Sequence, residues 1–102
     1  MADFVRVAKI NELQPGQARQ VVAKGKPIAL FNVDGKFFAI DNACTHRNGP
    51  LAEGDVSGHE VTCPHHGARF DIRTGKVLGP PAQRGVACYG VRVTDTDVEV
   101  EV

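Results

Sequence analysis

Two short segments concentrate the soft metal donors of this 102-residue chain. Cys44 and His46 are separated by one residue, Cys63 and His66 by two, and sixteen residues lie between the pairs. Two of the three cysteines and three of the four histidines fall in these segments. Thiolate and imidazole together make a ligand set for zinc, iron or copper. Gly49 and Gly67 would let the backbone turn tightly and bring amide N–H groups toward a buried anionic centre.

The elements that must position these donors read as strands and turns. Phe4-Val5-Arg6-Val7 is β-prone, and Gln17 to Ala23 follows the turn signal Pro15-Gly16. Pro27 to Val33 and Lys36 to Ile40 flank Asp34-Gly35, a strong hairpin signal. His59 to Cys63, Ala68 to Ile72 and Lys76 to Leu78 are shorter candidates, and Val86 to Val93 is the longest. Val98 to Val102 alternates apolar and acidic residues, as expected of a strand with one buried face. Only Asn11 to Gln20 offers room for a helical turn, and Pro15-Gly16 interrupts it. The pattern predicts a small antiparallel all-β domain spanning residues 1–102. Between Asp41 and Asp55 lies a stretch too long for a simple hairpin connection, and such loops in compact domains are usually functional. It holds Cys44-Thr45-His46, and Cys63-Pro64-His65-His66-Gly67 forms a second loop.

Composition narrows the function classes. Twelve basic residues balance twelve acidic ones, so no broad basic face for nucleic acid is expected. The fully apolar runs, Ile28 to Phe31 among the longest, are far too short to span a membrane. Met1-Ala2-Asp3-Phe4 lacks the basic and apolar regions of a secretory signal, and the default expectation is a cytoplasmic protein. Three cysteines do not pair into a disulfide framework, which points toward metal binding or catalysis instead.

Cys-x-His, sixteen residues, then Cys-x-x-His resembles the Rieske [2Fe–2S] motif, in which two cysteines hold one iron and two histidines the other. The resemblance continues through Gly67-Ala68-Arg69-Phe70-Asp71, Thr74-Gly75-Lys76 and a proline loop at Gly79-Pro80-Pro81-Ala82. Pro27 to Ile40 is similar to the hairpin that precedes the family's first ligand loop. The resemblance implies one Rieske-type [2Fe–2S] cluster, with Cys44 and Cys63 on the inner iron and His46 and His66 on the outer one. It also favours His66 over His65 as ligand and places the His65 ring at the cluster rim.

What is missing points to a subtype. High-potential members bridge their ligand loops by a disulfide, and the matching positions here hold Gly49 and His65. Those members also carry a serine and a tyrosine after the second pair, where this chain has Ala68 and Phe70. Fewer hydroxyl donors to sulfur stabilise the reduced cluster less, so the expected potential is about −150 mV rather than about +300 mV.

Other readings are weaker. Structural zinc modules usually open with Cys-x₂₋₄-Cys, which this chain lacks. A Cys63–His65 catalytic dyad has no base-orienting partner in view. His59 is expected on the surface of a strand, and Cys88 in Val86-Ala87-Cys88-Tyr89 as a small core residue. His59-Glu60 begins a metalloprotease pattern that fails at Cys63, and Thr74-Gly75-Lys76 fails as a phosphate-binding loop at Phe70 and Val77.

Length decides between carrier and catalyst. About 36 residues follow the second motif, and only His59 and His65 remain after the ligands are assigned, too little for a second iron site. The resemblance therefore implies a Rieske-type ferredoxin of a bacterial aromatic dioxygenase system, not itself an enzyme. Its electron would come from an NAD(P)H-dependent flavoprotein reductase and go to a terminal oxygenase. Arg47, Asn48, Pro50, His65, Pro80 and Pro81 would form the docking rim, with Arg69, Arg84, Glu53 and Asp55 as local charges. The runner-up is the small Rieske subunit of an assimilatory nitrite reductase, whose members often lack ligands that are all present here. A zinc-stabilised interaction module ranks below it.

Overall fold

A computed structural model describes residues 3–43, 50–64, 67–79 and 84–102. Eleven strands among them form three antiparallel sheets. The first contains β1 (Phe4–Lys9), β11 (Asp97–Glu101) and β10 (Val91–Thr94), in that spatial order. The second runs β2 (Ala18–Ala23), β3 (Lys26–Val33), β4 (Lys36–Asp41) and β9 (Cys88–Tyr89). The third is a meander of β5 (Asp55–Ser57), β6 (Glu60–Thr62), β7 (Arg69–Asp71) and β8 (Val77–Gly79). The first two sheets form a base, and the third is an insert between β4 and β9. The all-β antiparallel expectation holds. Among the described residues no helix is long and apolar enough to cross a membrane.

Strand β3 explains why the apolar run Ile28 to Phe31 sits where it does. Every residue from Ile28 to Val33 is buried. A strand covered on one face would alternate; one covered on both reads as a continuous apolar run. Ile28 and Leu30 point into a base core with Val21, Ala39, Val98 and Val100. Ala29, Phe31 and Val33 point the other way, into a core shared with Leu51, Val61, Cys63, Phe70 and Ile72 of the insert. The one polar member of the run, Asn32, donates to the Leu13 carbonyl at 2.8 Å and accepts the Gly35 N–H at 2.9 Å. It thereby fastens the β3–β4 turn. Asp34 and Gly35 both have positive φ, 53° and 89°, as the paired left-handed positions of a tight hairpin require.

Several sequence expectations are corrected. Val86 to Val93 is not one strand: Cys88 and Tyr89 pair with β4, and the chain then turns at Gly90 to pair β10 with β11. A Cβ at Gly90 would lie 3.0 Å from the Glu101 carboxylate, so the switch between sheets occurs where no side chain is needed. Asp55–Ser57 was not expected as a strand, because three residues with one apolar member carry too little periodicity. The helical turn forms at Ile10–Glu12, at the edge of the span expected for it, and a second 3₁₀ turn covers Leu51–Glu53. His59 lies in the β5–β6 turn rather than on a strand, half-buried, with its ring edge-on to Phe38 at 5.6 Å. Cys88 is exposed rather than core, because β9 is the outer strand of its sheet and leaves its side chain without a covering layer.

Candidate metal centre

Of the four candidate ligands, Cys63 lies within the described residues; Cys44, His46 and His66 lie outside them, as do Arg47, Asn48, His65, Pro80 and Pro81 of the expected rim. Cys63 follows β6 directly and is 3% exposed. It carries a free thiol. Its N–H donates to the Ala68 carbonyl at 2.7 Å, and its own carbonyl accepts the Gly67 N–H at 3.1 Å. These two bonds join Cys63 to Gly67 and Ala68, the described residues on the far side of positions 65 and 66. Gly67 has φ +77°, a left-handed conformation that side-chain-bearing residues rarely adopt. The expected glycine beside the second pair of candidate ligands is therefore required by the backbone.

The first loop is closed from the other side of the insert. Beyond β4, the Leu51 N–H donates to the Asn42 carbonyl at 2.7 Å, and Ala43 bridges to Pro50. Leu51 is fully buried in the core that holds Cys63. Both stretches that carry candidate ligands thus emerge from one apolar core. Gly54 lets the chain return to β6: a Cβ there would come 2.3 Å from the Thr62 carbonyl oxygen.

The third loop is bracketed in the same manner. The Val86 N–H donates to the Gly75 carbonyl at 2.8 Å. A Cβ on Gly75 would stand 2.1 Å from the Val86 oxygen, and one on Gly85 2.4 Å from the Gly75 oxygen. The turn at Gly75 is itself held by Asp71, whose carbonyl accepts the Gly75 N–H at 2.7 Å. Hydrogen bonds from Arg73, first from its side chain, hold the Asp71 carboxyl below the usual carboxylate range. The base of the proline loop is therefore fixed by backbone contact with the β7–β8 turn.

Two neighbouring residues were not identified from sequence. Asp41, the last residue of β4, donates its N–H to the Ala87 carbonyl at 2.9 Å, and its carboxylate accepts the Ala87 N–H at 3.3 Å and the Tyr89 hydroxyl at 2.5 Å. Burial and this hydrogen bond push the Tyr89 hydroxyl up to about 12, so it stays a donor throughout the physiological range. Asp41 thus staples the strand leaving the base to the one returning. No local signal could have found this pair, because its members are 48 residues apart. The second is Asn42, buried, with four hydrogen bonds to other described residues.

The residues present fit a buried [2Fe–2S] group. A free thiol with an apolar surround and a fixed turn suits an inner-iron ligand, whose charge is offset by metal rather than by water. Ala68 and Phe70 are fully buried in the same core as Cys63 and offer no hydroxyl to a sulfur. No disulfide joins Cys63 to Cys88. No three metal-ligating side chains cluster among the described residues, three of the four candidates lying outside them. Around the site, Glu53 and Asp55 are exposed, while Arg69 pairs with Glu60 at 3.3 Å and is no unneutralised charge.

The Rieske [2Fe-2S] domain family model matches residues 3–90. The biphenyl dioxygenase ferredoxin subunit of Pseudomonas sp. (strain KKS102) is 39% identical over 99 residues, 96% of this chain and 91% of the relative. Among solved structures, the ferredoxin of carbazole 1,9a-dioxygenase from Nocardioides aromaticivorans IC177 superposes with a TM-score of 0.92 at 32% identity, covering 95% of both chains. A ferredoxin chain from a complex of reduced oxygenase and oxidised ferredoxin in carbazole 1,9a-dioxygenase gives 0.89 at 32% identity, covering 95% of this chain and 91% of that one. Two further structures mark the limits of the likeness. A chain assigned as an NADH-dependent nitrite reductase small subunit from Mycobacterium tuberculosis gives 0.91 at 24% identity, covering 100% of this chain and 96% of that one, which shows the fold alone. Apo dicamba monooxygenase gives 0.85 at 25% identity, covering 96% of this chain but 32% of that one. With a buried cysteine on a glycine-bounded turn and a family match over most of its length, this chain belongs to the Rieske [2Fe-2S] domain family.

Proposed function

We propose that this chain is a one-electron carrier, the ferredoxin component of an aromatic-ring dioxygenase system, and performs no oxygenation itself. The observation that carries this reading is the pattern of coverage and identity. The chain matches nearly the full length of a dioxygenase ferredoxin at 39% identity, whereas it matches about a third of a monooxygenase at 25%. The nitrite reductase alternative rests on fold likeness at 24% identity.

A Rieske cluster, when bound, supplies a centre that cycles one electron. Cys44 and Cys63 would hold its inner iron, and His46 and His66 its outer iron, within one domain over residues 1–102. The chain's own part is to hold these ligands at fixed separation and keep water from the inner side. Burial of Cys63, Ala68 and Phe70 supports that role. The absence of hydroxyls at 68 and 70 supports a potential toward the lower end of the Rieske range, about −150 mV. Electrons would arrive from an NAD(P)H-dependent flavoprotein reductase and leave to a terminal oxygenase. Both would dock at the ligand end, in contacts below about 1,200 Å² that release quickly.

Iron, zinc and acid-labile sulfide analysis with EPR of the reduced protein tests the cofactor. Two irons, two sulfides and a Rieske signal are expected; stoichiometric zinc without iron would overturn the reading. Reduction by a flavoprotein reductase, followed by reoxidation on adding a terminal oxygenase, tests the carrier role. Cys63→Ser should lose the normal cluster while His59→Ala retains it. Loss in His59→Ala would overturn the ligand assignment.

A further inference from the structure

We infer that Asn42 is a positioning residue that closes the first ligand loop by capping, through its side chain, the 3₁₀ turn on the loop's far side. The inference rests on the Rieske reading of Cys44 and His46. Asn42 is one of two buried polar residues among those described, at 6% exposure, and the other, Asn32, is occupied by the β3–β4 turn. A buried amide is costly unless its donors and acceptors are met, so its partners show what it holds together. The main-chain N–H donates to the Pro27 carbonyl at 3.2 Å, and the carbonyl accepts the Leu51 N–H at 2.7 Å. The side-chain Oδ1 accepts the Ala52 N–H at 2.9 Å, and Nδ2 donates to Gln20 Oε1 at 3.2 Å.

The Ala52 contact is the informative one. The first N–H groups of a helical turn lack intrahelical acceptors and are ordinarily capped by the residue just before it. Here that residue is Pro50, which makes no side-chain cap. Asn42, ten positions before Ala52, supplies the missing oxygen. The cap therefore spans the segment carrying Cys44 and His46 and ties its far end to the end of β4. Gln20 in turn orients the amide from β2. Main-chain bonds at Asn42 survive substitution, so the side chain's share is separable.

Holo-protein of the parent chain, Asn42→Ala, Asn42→Asp and Gln20→Ala is compared by loss of visible absorbance in excess ferrous chelator and by EPR of the reduced state. Asn42→Ala should release iron at least about tenfold faster, as expected for loss of support behind metal ligands, with shifted or broadened EPR features. Asn42→Asp keeps the acceptor for Ala52, and the Gln20 amide can rotate to donate to it. It should stay within about threefold of the parent with its EPR signature retained. Gln20→Ala should fall between them. Parent-like release and EPR in Asn42→Ala would overturn the inference. If Asn42→Ala accumulates no holo-protein, Asn42→Asp decides: recovery supports the inference, and equal loss overturns it. Failure of the Rieske reading would show separately, as a parent protein without two irons.

Discussion

The base and the insert are held by different means. In the base, β3 has eight residues and β2 and β4 six each, so long ladders and two-sided burial of β3 carry the structure. In the insert, every strand has three residues. Isolated ladders that short are marginal. The insert relies instead on backbone packed directly on backbone at Gly54, Gly75 and Gly85, and on one core shared with β3. Stability is built where sequence can be long and apolar. The described residues that flank the candidate ligands belong to short strands and turns, the kind of segment that commonly carries function on a rigid scaffold.

The largest expected effect follows from the residue on which both regions depend. Phe31 is fully buried and faces the shared core. Phe31→Ala should cost about 3–5 kcal/mol in urea unfolding. If loss were confined to the insert, with the base ladder unchanged in amide exchange, the two regions would be less coupled than their common core implies.

A change in the insert should act more locally. Gly75→Ala forces a left-handed φ of +77° on alanine and drives its Cβ into the Val86 carbonyl. A loss of about 1–3 kcal/mol is expected. Amide exchange should accelerate at Val86 before it does in β3. Uniform acceleration would contradict the division into two regions.

Between the regions stands the Asp41–Tyr89 staple. Tyr89→Phe removes a hydrogen bond to a carboxylate and should cost about 1.5–3 kcal/mol before allowance for partial exposure, and nearer about 1 kcal/mol after it. The pH dependence has a definite sign. The folded value of about 12 exceeds the ordinary value of 10, so the contribution is complete below pH 10 and fades as pH rises toward 12. The stability difference between parent and Tyr89→Phe should be flat to about pH 10 and shrink above it. A difference that grew with alkalinity would show that Tyr89 is not held protonated by its surroundings.

The smallest effect is expected at Cys88. It is exposed on the outer strand of its sheet, so Cys88→Ser should change stability by no more than about 0.5 kcal/mol. A thiol reagent should modify Cys88 rapidly in the folded holo-protein while Cys63 stays protected. Slow modification of Cys88 would mean that β9 is covered.

Much of this was legible in the sequence. Asp34-Gly35 marked its hairpin because two consecutive positive φ values are affordable to few residue pairs. Val98 and Val100 announced a one-sided strand because side chains alternate at period two, and both are fully buried. The donor spacing pointed to the family, because two paired soft-ligand loops meet few other uses. Less was legible at Cys88 and His59. Apolar neighbours suggested a core position for Cys88, but an edge strand exposes what a central strand would bury.

By itself, then, the chain's order of residues determined most of the strands, the tight turns and the chemistry of the donor set, all of which depend on neighbours within a few positions. Tertiary structure alone decided that Val86 to Val93 divides between two sheets and that Asp41 meets Tyr89. It also decided that Asn42 caps a turn across the first ligand loop. These pairings join residues separated by long stretches of chain, and no local periodicity encodes them. They follow from where two cores share one strand, since only packing brings the ends of the loops within hydrogen-bond reach.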